Sequence, residues 1–225
     1  MDDIRRIKHM KQGLAVKLRD GAAGRLPGRP HQRAQVLRTA SAQFAMTGLH
    51  GTTTLALARA AGISEAILYL HFGDKTALFR EAVEINSDTR LRSLDSHLSS
   101  IVADNQLDCI QSMAEITMMN CLEVAANAIL MSWALLEAPE FATDLYRNEI
   151  GSVRILWDRE VFGRFPASRT REVVSLHIVP YAVNTCLAHG MWLATLRHTR
   201  ESAELLAREF AISIAKSAST VLGRW

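Results

Sequence analysis

Only three cysteines, Cys109, Cys121 and Cys186, occur in 225 residues. An odd count without paired spacing excludes a disulfide framework and a Cys-based zinc module, and fits a reducing compartment. Runs of alternating Val, Ile and Thr are absent, which removes the main signal for β-strands. No stretch approaches the ~20 apolar residues that cross a bilayer, and the first thirty residues lack the continuous apolar core of a secretory signal. The expectation is a protein that keeps to the cytoplasm and does not enter a membrane. His177, His189 and His198 are too far apart for a helical metal motif, and neither H-E-x-x-H nor C-x-x-C occurs. No metal and no cofactor are expected.

What is present is an ordinary globular composition, 48% hydrophobic and 22% charged, long enough for a small head and a larger body, each with a core. The formal net charge of +3 is unevenly spread. Residues 1–85 hold 13 Lys/Arg against 7 Asp/Glu, whereas residues 86–225 hold 13 against 16. Positive charge gathered at the N-terminal end suits a polyanionic partner.

Apolar residues recur at three- and four-residue steps along most of the chain, and Gly and Pro fall mainly between such segments. The pattern predicts an all-α protein of about nine helices. Residues 1–29 form a basic extension, 30–85 a compact three-helix head with the start of a connector, and 86–225 a helical-bundle body. Head helices are expected at about 30–47, 53–61 and 64–70, with a long helix starting after Asp74. Body helices are expected near 107–121, 123–137, 140–164, 168–198 and 201–222. Pro180 lies inside the fourth of these, where it removes a backbone donor and should kink the helix unless something compensates.

Residues 52–83, TTTLALARAAGISEAILYLHFGDKTALFREAV, carry the specific signal. Thr53 or Thr54 can cap a helix on which Leu57, Ala58 and Ala61 turn inward, small enough for a neighbour to approach. Gly62 permits a tight turn, and Ser64 caps a helix of about two turns anchored by Ile63, Leu68 and Phe72. The rest of that short helix faces outward, and its N-terminal residues can lead into a major groove.

These residues resemble the head of the tetracycline-repressor (TetR) family, which reads T-T, I-A, A-G-V-S, L-Y-x-H-F and a following Lys. The corresponding residues are Thr53 and Thr54, Leu57 and Ala58, Ala61 to Ser64, Leu68 and Tyr69, His71 and Phe72, and Lys75. The resemblance covers about residues 32–83. It implies phosphate contacts from Thr54, Tyr69, His71 and Lys75, and base readout from the outward face of the third helix. Three outward positions depart from the usual pattern: Glu65, Ile67 and Leu70. Glu65 is unfavourable near phosphates unless it accepts from a cytosine amino group, and Ile67 or Leu70 can pack on thymine methyls. The candidate DNA-contacting set is therefore Arg29, Thr53, Thr54, Ser64, Glu65, Ala66, Ile67, Tyr69, Leu70, His71 and Lys75. Arg29 enters because Pro27-Gly28-Arg29-Pro30 precedes the first helix, where an Arg-bearing arm can reach a minor groove.

The resemblance also implies a body that dimerises through its last helices, here about 168–198 and 201–222, around a small-molecule pocket. Bulky apolar residues with a few polar tips suit such a pocket: Met113, Thr117, Trp133, Tyr146, Trp157, His177, Tyr181 and Asn184, with Trp192 beside them. The function expected is a DNA-binding transcriptional regulator, a homodimeric repressor released from a palindromic double-stranded operator by a small apolar or amphipathic effector. Two rivals remain open. One is a helical protein-interaction regulator that keeps the fold without sequence-specific DNA binding. The other is an all-helical enzyme, disfavoured because none of the three cysteines has a base or an oxyanion motif near it in sequence.

Overall fold

The computed structural model describes residues 29–165, 169–195 and 200–222, and every element among them is helical. The head consists of α1 (Arg29–Gly51), α2 (Thr54–Ala61) and α3 (Glu65–Phe72), and α4 (Lys75–Ser99) runs from it into the body. The body adds α5 (Gln106–Glu123), α6 (Ala125–Glu137) and α7 (Pro139–Arg164). It closes with α8, built from Arg169–Val173, a π turn at Val174–Ile178 and Val179–Thr195, and with α9 (Arg200–Leu222). Nine helices and no strand among the described residues bear out the all-α reading. No single described helix is long and apolar enough to cross a membrane.

Two apolar cores are strung along α4. In the first, Val36, Leu37, Ala40 and Phe44, at helical spacing on α1, pack on Leu78, Phe79, Ala82 and Val83 of α4 and on the inner faces of α2 and α3. Phe79 stands edge-on to Phe44 at 4.9 Å and to Phe141 at 6.2 Å between ring centroids. Leu130, Met131 and Ala134 of α6 and Phe141 and Ala142 of α7 complete this core, so the head is closed by body helices. In the second core, Leu94 and Leu98 at the far end of α4 join α5, α7, α8 and α9 around the fully buried Trp157.

Between the cores the middle of α4 is polar. Arg90, fully buried, donates from Nε to Glu149 Oε1 (2.8 Å) on α7 and from Nη1 to Asn120 Oδ1 (3.1 Å) on α5. Ser87 donates to Glu149 Oε2 (3.0 Å) and accepts from Asn127 of α6 (2.8 Å), while Asn86 donates to Ser41 of α1 (2.9 Å). A buried charge is tolerable only when paired and hydrogen-bonded, and this network meets that condition for the ion pair.

Two features of the helices follow from single residues. The regular part of α1 ends where expected, because Gly48 adopts φ 71° and ψ −174°, and a last turn then runs to Gly51. A Cβ there would come within 2.7 Å of Glu137 Oε2 and 2.9 Å of the Trp133 ring. Pro180 is accommodated by the π turn just before it, in which the Val179 N–H reaches back to the Val174 carbonyl. The longer step shifts the hydrogen-bond register immediately ahead of the residue that has no N–H.

Candidate nucleic-acid interface

Local capping fixes the ends of the head's two short helices. Thr53 accepts from the Ala56 N–H (3.1 Å) at the start of α2, and Ser64 accepts from the Ile67 N–H (3.3 Å) at the start of α3. Gly62 ends α2 in the left-handed region at φ 68°, its N–H returning to the Ala58 and Arg59 carbonyls. The chain turns 98° between α2 and α3, the range of a helix-turn-helix. Gly73 then closes α3 on the Tyr69 carbonyl (2.8 Å), and Asp74 caps α4 through the Ala77 N–H (2.7 Å).

On α3, Leu68, Tyr69 and Phe72 turn into the core, whereas Leu70 is 49% exposed. Glu65, Ala66, Ile67 and His71 are half-buried, and the caps Thr53 and Ser64 are exposed. Tyr69, with 4% of its surface exposed, therefore lies with the core of the free head and not on its outer face. The segment EAILYLHF is apolar nearly all round, so helical periodicity does not single out which side is buried.

Three polar contacts were invisible in the sequence. The Thr54 hydroxyl donates to Glu65 Oε2 (3.0 Å), joining the first turns of α2 and α3. The Lys75 ammonium donates to the Thr52 carbonyl (2.9 Å), while the Thr52 hydroxyl donates to the Gly48 carbonyl (2.6 Å). Arg33 is held internally, paired with Glu81 and lying 4.7 Å above the Phe72 ring. Arg38 and Arg59 are the exposed arginines of α1 and α2 among the residues with described side chains. The backbone of Arg29 opens α1, but its side chain and residues 1–28 lie outside the described residues, and the arm lies there with them.

The body meets the head at the Gly48 break. Glu137 Oε2 accepts from the N–H groups of Leu49 (2.5 Å) and His50 (3.1 Å), and the Trp133 indole donates to the Ala45 carbonyl (3.3 Å). Trp133 thus belongs to this joint, and Tyr146 packs half-buried against the head's core, its phenol pushed up by burial. Of the other pocket candidates, Met113, Thr117 and Trp157 come together: the indole donates to the Thr117 hydroxyl (3.0 Å), which donates to the Met113 carbonyl (2.8 Å). His177, Tyr181 and Asn184 are exposed on α8, apart from that cluster. They share this outer surface with Trp192, and Leu205 and Ile212 are exposed on α9.

Residues 36–82 match the family model of bacterial regulatory proteins, tetR family, which bears out the resemblance read from the motif. No curated protein matches the chain by sequence. Solved structures share the fold at low identity. A putative TetR-family transcriptional regulator from Mesorhizobium loti is 18% identical with a TM-score of 0.61, over 84% of this chain and 96% of that one. A transcriptional regulator of Aquifex aeolicus is 16% identical with a TM-score of 0.60, over 81% and 99%. The ketosteroid transcriptional regulator KstR2 of Mycobacterium tuberculosis is 17% identical with a TM-score of 0.54, over 88% and 98%.

Proposed function

We propose that this chain, whose head is that of a tetR-family bacterial regulatory protein, is a homodimeric repressor that reads a two-fold symmetric DNA operator and leaves it when a small molecule occupies the body. The observation that carries the reading is the head itself: two short, independently capped helices at 98°, the second presenting Glu65, Ala66, Ile67 and Leu70 at or near the surface. Thr53, Ser64, His71 and Lys75 flank that face and are assigned to the phosphates.

A dimer through α8 and α9 is supported by the large apolar residues exposed on them, Leu176, Tyr181, Trp192, Leu205 and Ile212. Apolar residues exposed on two long helices are what a bundle buries between protomers. The effector is assigned to the apolar body, whose core holds the bonded set Met113, Thr117 and Trp157. Release follows from geometry, because recognition helices must lie about 34–36 Å apart to enter successive major grooves. A ligand that favours another spacing shifts the population away from DNA. The joint at Gly48, where Glu137 and Trp133 of α6 hold the end of α1, ties body to head just before the Thr53 cap.

The test is a gel shift of the full chain against the duplex upstream of its own gene. A retarded band that unlabelled specific DNA removes and random DNA does not is the expected result. Equal competition by both DNAs would leave the helix-turn-helix without sequence-reading function.

A further inference from the structure

We infer that Glu65 reads a cytosine in each operator half-site and that Thr54 is its positioning residue; this rests on the DNA-reading function proposed above. Glu65 opens α3, the place from which a recognition helix meets base edges first. A free carboxylate there faces the phosphates and lowers affinity for any DNA. In this head the carboxylate is not free, because the Thr54 hydroxyl, from the first turn of α2, donates to Oε2 at 3.0 Å. A hydroxyl has one proton to give, so while Thr54 holds Glu65 it has none for a phosphate. The bond thus takes Thr54 out of the phosphate-contacting set and spends its rigidity on the direction of Glu65.

Oε1 has no hydrogen-bond partner among the described residues, and a carboxylate only accepts. The major groove offers it two donors, the N4 amino group of cytosine and the N6 amino group of adenine. On adenine the amino group stands beside the N7 lone pair, which repels a second carboxylate oxygen. On cytosine it stands beside a C–H, so cytosine is the base selected. The repulsion from phosphates is then offset only at operators that present the amino group in register. Glu65 on this account lowers general affinity and raises discrimination.

The experiment selects duplexes from a random pool with the full-length chain and with Glu65→Gln, Glu65→Ala and Thr54→Val. Affinities are then measured for every base at the position that changes. The native chain is expected to prefer cytosine at one position per half-site by about tenfold or more, the scale of a good base contact. Glu65→Gln should move the preference to adenine, whose N6 and N7 suit an amide. Glu65→Ala should remove the preference at that position while binding random duplex more tightly. Thr54→Val should weaken discrimination there and nowhere else, with the melting temperature of the protein retained, a pattern that loss of a purely structural bond would not produce. Variants at position 65 that select the same consensus as the native chain would overturn the inference and leave the DNA-reading function standing. A native chain that selects no sequence at all would remove both.

Discussion

Head and body are built by different rules. The head's α2 and α3 are eight residues each, and the starts of α2, α3 and α4 are set by contacts three residues apart: Thr53 to Ala56, Ser64 to Ile67, Asp74 to Ala77. The body's α5, α6 and α7 run from 13 to 26 residues, and the contacts that align them join residues far apart in sequence, such as Arg90 with Glu149 and Asn127 with Ser87. The head keeps Thr53, Ser64, Glu65 and Lys75 at or near the surface. The body buries an ion pair and hydrogen-bonds it on several sides. One region is locally specified and suited to meeting DNA; the other depends on long-range polar pairing that a rearrangement would have to break or carry along.

The largest effect that would sharpen this contrast is at Arg90. Arg90→Ala leaves Glu149 buried without its partner and should cost about 3–5 kcal/mol in denaturant unfolding, whereas Arg90→Met combined with Glu149→Leu should recover much of the loss. A single substitution costing under about 1 kcal/mol would break the contrast, because the network would then contribute little. Next comes the joint. Gly48→Ala places a Cβ against Glu137 and Trp133 at a positive φ, and should cost about 1–3 kcal/mol. It should also weaken DNA binding, since Thr52 and the Thr53 cap follow within five residues; unfolding and DNA titration together check both.

Smaller effects belong to the caps. Thr53→Ala and Ser64→Ala should each cost about 1 kcal/mol in stability, with the loss confined to the head when followed by amide exchange. The smallest is electrostatic. Lys75→Ala should flatten the slope of log affinity against log salt by about 0.9 if the ammonium leaves the Thr52 carbonyl for a phosphate; an unchanged slope would keep Lys75 as a strut inside the head. The thiols give a chemical check on the body. Burial pushes Cys121 up to about 11 and raises Cys109 and Cys186 as well. Thiol reagents at pH 8 should therefore label the three only as the protein unfolds.

The same contrast decides what could be read from the sequence. Helix existence and the turns at Gly62 and Asp74 were legible, because capping and turn chemistry act over three or four residues. The burial of Tyr69 was not, since Leu68, Tyr69, Leu70 and Phe72 surround α3 with apolar or aromatic groups and blur its inner face. His177, Tyr181 and Asn184 suffer the same ambiguity on α8, where the structure turns them to the surface. The Thr54–Glu65 bond and the Glu137 clamp have no one-dimensional signature. Each depends on how separate helices are docked, across 11 residues for the bond and 87–88 for the clamp.

If the head reads double-stranded DNA by sequence, the full-length protein will select from a random duplex pool at physiological salt. The expected result is enrichment of a two-fold symmetric consensus whose half-sites lie about one helical turn apart, or a multiple of it. A pool that stays random after repeated rounds, while the protein remains folded, would contradict it.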